Sequence, residues 1–252
     1  MILQHALPKG RIQFGHISQM IRRYAALALL AVMGGVLLAG CGDPEPEQRK
    51  AFIKFLQAHV LDPAGMVVPE PSVEDKQAFG PYIDHYAVIT KFHDTMGGNN
   101  DQLKAMAAKG AVQSVKDLIA RREELNTLSG EMAKLETTFN SAVSTADAAK
   151  AQLKQPDDLK VVYDKAYDRT ISAFAKIMKD FLPIARDLYA AEVDLADYVA
   201  QHKGELKING AMVMTEAPKL QTEFNAKVQA IQAKAQTMRD VQQKLRALRR
   251  GY

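Results

Sequence analysis

The sequence predicts an all-α fold, an elongated antiparallel bundle of long heptad-patterned helices with a small β-hairpin insert. Three observations carry that expectation. Leu118, Leu125, Met132, Phe139, Ala146 and Leu153 stand seven apart, and Leu128, Leu135, Ala142 and Ala149 follow four of them by three. Tyr167, Phe174, Phe181, Leu188 and Leu195 form a second row of sevens, interleaved with Ile171, Met178, Ala185 and Val199. Between the rows, Gln155-Pro156-Asp157-Asp158 makes a tight turn with an aspartate cap, so the second helix returns beside the first. A seam that repeats every seven residues buries one face of a long helix against partners along its length.

Residues 1–40 read as a lipoprotein signal peptide rather than as part of that fold. Arg22-Arg23 supply the positive flank, and Ala25 to Leu38 is an apolar run too short to span a bilayer unaided. A transmembrane anchor is the lesser alternative. Leu38-Ala39-Gly40-Cys41 then resembles the lipobox of bacterial lipoproteins. Small residues before the cysteine suit a signal peptidase, and the Cys41 thiol is the nucleophile that receives the lipid. Met20 lies at the usual distance ahead of such a segment and is a candidate true start. The mature chain is expected to begin at Cys41, lipid-anchored and facing the periplasm. Gly42, rather than an aspartate, follows the cysteine, which favours the outer membrane over the inner.

Residues 41–47 form the expected tether. Gly42-Asp43-Pro44-Glu45-Pro46-Glu47 is rich in proline and acid, extended and solvated, and reaches roughly 20 Å at about 3.5 Å per residue. Residues 48–252 are expected to form one helical-bundle domain.

Its first helix spans Gln48 to Leu61, with Ala51, Phe52, Phe55 and Leu56 on one face and Pro63 closing it. Ser72 begins a second, with Asp75 completing a capping box. Gly80-Pro81 interrupts it, and a fresh helix through Ile83, Tyr86, Ile89 and Phe92 is expected to stop at Gly97-Gly98, with Asn99-Asn100-Asp101 as a loop or cap. The first heptad row predicts a single rod from Ser114 to Lys154. Gly130 lies inside it at a cost of about 1 kcal/mol, too little to end a helix so supported. The second row predicts one helix kinked at Pro183, with Glu192 its one polar member. Leu206-Lys207-Ile208 and Ala211-Met212-Val213-Met214 flank Asn209-Gly210, the pattern of a hairpin turn. After Pro218 a last helix runs to near Arg250 on Phe224, Ile231, Met238 and Leu245, with a basic tail.

Charge narrows the function. Lys9, Arg11, Arg22 and Arg23 precede Cys41, leaving 29 of the 33 basic residues to balance 29 acidic ones. The mature chain is neutral, so the case for nucleic-acid binding that a basic precursor would invite falls away. Its one cysteine is the acylation site, so no internal disulfide is available.

Candidate chemistry is sparse. Asp84, His85, His93 and Asp94 form the best acid-histidine group, but the histidines lie eight residues apart, roughly 12 Å along a helix, too far to share a metal ion. Polar positions beside an apolar stripe explain them as well. His59 and His202 stand near helix ends, where a cation suits the dipole. Glu123-Glu124 and Asp157-Asp158 could be an acid-base pair or ordinary solvated acids. No glycine-flanked serine elbow and no phosphate loop is present. Tyr82, Tyr86, Phe92, Tyr163, Tyr167, Phe174 and Phe181 either line a ligand cleft or, as their helical spacing favours, fill the core. Arg246, Arg249 and Arg250 are a solvated helix end or a contact for anionic lipid or peptidoglycan.

QRKAFIKFLQ from Gln48, QAFGPYIDHYAVI from Gln77, LKQPDDLKVVYD from Leu153 and the asparagine-glycine hairpin, taken together and in order, resemble the YiaF-like family of enterobacterial lipoproteins. The resemblance implies a helical envelope lipoprotein and supplies no catalytic residues. The expectation is a non-enzymatic envelope protein without metal or cofactor. It is held to the membrane by lipid on Cys41 and contacts a protein or the cell wall, not nucleic acid. The alternative is a periplasmic carrier or sensor of an apolar ligand held between helices. A pocket among the aromatics would favour the carrier, and a filled core with an exposed apolar patch would favour the contact protein.

Overall fold

A computed structural model describes residues 43–110, 112–209 and 212–251 of the chain. The signal segment, the lipobox residues Leu38, Ala39 and Gly40, and Cys41 lie outside the described residues. The chain divides into two compact units, Met1–Pro46 and Glu47–Tyr252, and the second holds the hydrophobic core.

Helix α1 (Glu45–Phe55) leads directly into a π-helical turn, Leu56–Leu61. The helix begins inside the stretch expected to be an extended tether. The Asp43 carboxylate accepts the Glu45 N–H at 3.0 Å, and Pro46 occupies the first turn, where its missing donor has no intrahelical partner to lose. Helix α2 (Val73–Phe79) opens with the predicted capping box, in which the Ser72 and Asp75 side chains each accept the other's backbone N–H. A 3₁₀ turn, Gly80–Tyr82, separates it from α3 (Ile83–Lys109).

Helix α3 corrects the expected stop at Gly97-Gly98, since it continues through residues 99–101 to Lys109. Both glycines are exposed, while Met96 and Met106 are buried and Leu103 packs against the core. Two glycines cost about 1 kcal/mol each in a helix. Burying two methionines returns roughly 1.5–3 kcal/mol apiece, which carries the helix across the weak point.

The single rod expected from Ser114 to Lys154 is broken. Ser114 caps α4 (Val115–Ala120), and α5 (Arg122–Ala151) follows after Arg121, whose φ of −106° and ψ of 13° leave the helical region. The Arg121 guanidinium donates to the Lys109 carbonyl at the end of α3 and pairs with Glu124 at 2.8 Å, tying the break to the neighbouring helix. The seam itself is as the sevens predict. Leu118, Leu125, Leu128, Met132, Leu135, Phe139 and Ala146 are all buried.

Helix α6 (Asp157–Tyr167) starts with Pro156, not an aspartate, in the cap position. Asp157 and Asp158 sit instead in the first turn, where carboxylates complement the helix dipole. A second π-helical turn, Asp168–Ser172, joins α6 to α7 (Ala173–Gln201), and Pro183 lies inside α7. Only the Pro183 position was expected to disturb this run. α7 packs against α5 on one side and α8 (Pro218–Arg250) on the other, so it forms the centre of the bundle.

Strands β1 (Lys207–Asn209) and β2 (Met212–Met214) form the predicted antiparallel hairpin, shifted by one residue. Asn209 pairs with Met212, so the connecting pair is 210–211 rather than Asn209-Gly210, and residues 210 and 211 lie outside the described residues. Among the described residues, no helix is long and apolar enough to cross a membrane.

Candidate functional site

The acid-histidine group does not converge. His85 and His93 both lie on α3, but the His85 Nδ1 meets the Gln155 amide at 3.1 Å, and its backbone carbonyl accepts the Tyr163 hydroxyl at 2.8 Å. The His93 Nε2 donates to the Thr170 carbonyl in the second π turn at 2.8 Å. Burial lowers the pKa of both rings against the raising influence of Asp84 on His85 and, for His93, of the Thr170 bond and Asp94. Both stay neutral at physiological pH and act as struts between helices. Asp84 and Asp94 are exposed. His59 is exposed against the Phe55 ring, and His202 lies 3.3 Å from Glu205. Among the described residues, no three metal-ligating side chains gather.

The paired acids are surface groups. Glu123 pairs with Arg122 at 2.7 Å and Glu124 with Arg121 at 2.8 Å, while Asp158 faces Arg49 at 3.4 Å. The sequence drew no functional signal from Glu192, yet among the described residues it is the one buried carboxylate. Its Oε2 has no hydrogen-bond partner among the described residues, and burial lifts its pKa from 4.5 to about 7 against the opposing charge of Arg121.

The seven aromatics divide. Phe92 is buried against Phe139 and Phe174. Tyr82, Tyr86, Tyr163 and Tyr167 are buried; the Tyr86 hydroxyl donates to the Pro69 carbonyl, that of Tyr163 to the His85 carbonyl, and that of Tyr167 to Asp147. These five fill core. Phe174 and Phe181 are half-buried, and both face a cavity of about 260 Å³.

That cavity lies between α3, α5, α7 and α8. Met96, Phe139, Phe174, Met178 and Phe181 form its apolar walls, while Gln242 and Arg249 of α8 stand at its edge. A second hollow of about 220 Å³ shares Gln242, Leu245 and Arg249 with it and adds Arg246. Neither arginine has an ion-pair or hydrogen-bond partner among the described residues, and no acidic residue lines either hollow.

The geometry of the mouth is built. Gly65 and Gly251 both adopt positive φ, 75° and 79°. A Cβ on Gly65 would overlap the Arg249 carbonyl, and one on Gly251 would overlap the Gly65 amide nitrogen. From the other side, the Arg169 guanidinium donates to the carbonyls of Leu61, Pro63 and Gly65. The turn after α1 is thus fixed between the second π turn and the end of α8, which sets Arg249 beside Met66 at the cavity.

A larger groove of about 550 Å³ runs between α3 and α5, lined by Asp84, Lys91 and Phe92 together with Thr95, Thr137, Thr138, Thr145 and smaller residues. The hydroxyls of Thr95, Thr137 and Thr138 donate to carbonyls of their own helices. Ile208, Met212 and Met214 leave apolar surface exposed on the hairpin.

Comparison with known proteins identifies relatives without an assigned role. A family described as "Protein of unknown function (DUF3053)" matches residues 27–246. The chain is 29% identical over 217 residues to "Uncharacterized protein YiaF" of Escherichia coli (strain K12), covering 85% of this chain and 91% of that one. The same figures hold for the protein of that name from Shigella flexneri. No solved structure matches.

Proposed function

Because the chain belongs to the DUF3053 family, whose function is unassigned, we propose its role from its own residues: a lipid-anchored envelope protein that acts by binding rather than by catalysis. The observation that carries this reading is Leu38-Ala39-Gly40-Cys41 at the end of a short apolar run introduced by Arg22-Arg23. The acyl chains on a processed lipoprotein cysteine hold a protein far more firmly than a single chain can. Gly42 after the cysteine favours the outer membrane, with the bundle in the periplasm. The non-enzymatic part draws support from the polar groups, since His85 and His93 are engaged by Gln155 and Thr170, and Glu123 and Glu124 are ion-paired at the surface.

The test is metabolic labelling with a fatty acid followed by membrane fractionation. The native chain is expected to incorporate label, shift to the processed size and sediment with the outer membrane, and Cys41→Ser to do none of these. Unchanged labelling and mobility in the variant would refute the anchor.

A specific observation favours a second reading, the binding of an apolar ligand. Phe174 and Phe181, two of the aromatics whose spacing favoured core over cleft, line an apolar cavity between helices.

A further inference from the structure

We propose that the cavity between α3, α5, α7 and α8 binds a single-chain amphiphile with an anionic head, the chain among the phenylalanines and methionines and the head on Arg249 and Arg246. The proposal rests on the reading of this chain as one that acts by binding, and it names the class of ligand.

The interior suits a flexible chain. Its walls are Phe139, Phe174 and Phe181 with Met96 and Met178, and methionine adapts its shape to what it contacts. A dry apolar cavity of about 150 Å³ accommodates benzene. In that ratio, the 260 Å³ here has room for roughly ten carbons. His93 contributes a ring whose Nε2 is already committed to the Thr170 carbonyl and so is not available to a ligand head.

The mouth suits an anion. The two hollows meet at Gln242, Leu245 and Arg249, and Arg246 flanks the outer one. An unpaired guanidinium presents a fork of donors that matches carboxylate or phosphate oxygens. Among the described residues no acid lines either hollow to compete for it. The approach of Gly65 and Gly251 locks the end of α8 in place, so the arginine is delivered to the mouth by the fold. A neutral or cationic amphiphile could fill the apolar part but would leave the guanidinium without a partner.

The experiment is photolabelling of the full chain, purified and mixed with phosphatidylcholine vesicles. The probe is a decanoic acid analogue that carries a diazirine at the end of its chain and an alkyne for detection. Label is expected on the segments around Phe139, Phe174 and Phe181, and excess unlabelled competitor should displace it. From hexanoate to decanoate, competition should strengthen roughly fourfold per added methylene and then level off as the cavity fills. Decanoate and decyl phosphate distinguish a carboxylate head from a phosphate head, and displacement by either supports the site.

The double variant Arg246→Gln/Arg249→Gln should reduce labelling at least fivefold with an unchanged melting temperature, because both side chains are exposed. Leu245→Trp, which fills the junction of the two hollows, should abolish it. Equal labelling by the corresponding amine probe, label scattered over the surface, or indifference to the arginine variants would overturn the proposal. A chain that takes the probe but carries no lipid on Cys41 would keep this site and lose the envelope reading.

Discussion

The backbone of Gly251, just past the end of α8, lies so close to that of Gly65 that a Cβ on Gly251 would overlap the Gly65 amide nitrogen. The two ends of the bundle sequence meet at this point. Arg169 reaches the same turn from the second π-helical segment and bonds three of its carbonyls. The turn therefore couples α1, the α6–α7 helix and α8, and the cavity opens beside it. Disturbing the turn should affect both stability and access to the cavity.

Gly65→Ala is the direct test. The φ of 75° is strained for alanine, and the new methyl would collide with the Arg249 carbonyl. Strain of this kind costs about 1–3 kcal/mol before the collision is counted. Chemical denaturation should show at least that loss. Gly97→Ala, on an exposed helical face with open space around it, should instead be neutral to stabilising.

Arg169→Gln should destabilise through the same turn. Removing the guanidinium leaves the carbonyls of Leu61, Pro63 and Gly65 to find other donors, at about 1–3 kcal/mol for each one that stays buried and unpaired. Arg169→Lys should recover only part of the loss, because a single ammonium cannot reproduce a planar fork. Hydrogen exchange of the amides around residues 61–66 should speed up more than that of α5, and a uniform change across both would contradict a local role.

Much of the bundle was legible because the heptad rows report directly on burial. Leu125, Met132, Phe139, Tyr167 and Leu195 all lie in the core as their spacing requires. Local rules failed where tertiary contacts outweighed them. Gly97-Gly98 reads as a stop, but Met106 anchors the far side. Arg121 follows Leu118 by three, where the first seam's second row calls for an apolar residue, and only its bond to Lys109, twelve residues back, reveals a break. Neither π turn has a period of its own to detect. The cavity was half visible, since Phe174 and Phe181 were candidates, but that Arg249 shares its lining depends on the meeting of Gly65 and Gly251, which no spacing encodes.

Phe139→Asp and Glu136→Gln probe which face of α5 is buried. Phe139 is 1% exposed between the Phe92 and Phe174 rings. Replacing it removes that packing, about 3–5 kcal/mol for loss of a buried Phe, and adds a carboxylate with no partner. Glu136 pairs with Arg186 at 2.9 Å near the surface, and Arg186 also holds Asp187. Losing one arm of such a partly exposed pair costs about 0–1 kcal/mol. Thermal melts should separate the two variants widely, and equal shifts would show that the seam is misassigned.

Glu192 makes stability depend on pH in a direction opposite to most carboxylates. Burial on α7 raises its pKa from 4.5 to about 7, with Arg121 opposing, so the folded chain holds this proton where the unfolded chain has released it. The folded state is therefore favoured by this group below about pH 4.5. That contribution is lost as pH rises toward 7, and above 7 the carboxylate is charged and buried. A shift of this size corresponds to roughly 3 kcal/mol. Burial lowers the pKa of His85 and His93 and so works the other way, adding stability as pH rises toward the ordinary histidine value, which means the raw curve of the native chain mixes both effects. The difference between the native chain and Glu192→Gln isolates the carboxylate. Denaturation midpoints should nearly coincide at pH 4 and diverge steadily up to pH 8, with the glutamine variant the more stable. A constant difference across that range would mean that Glu192 does not titrate there and that Arg121 holds it ionised throughout.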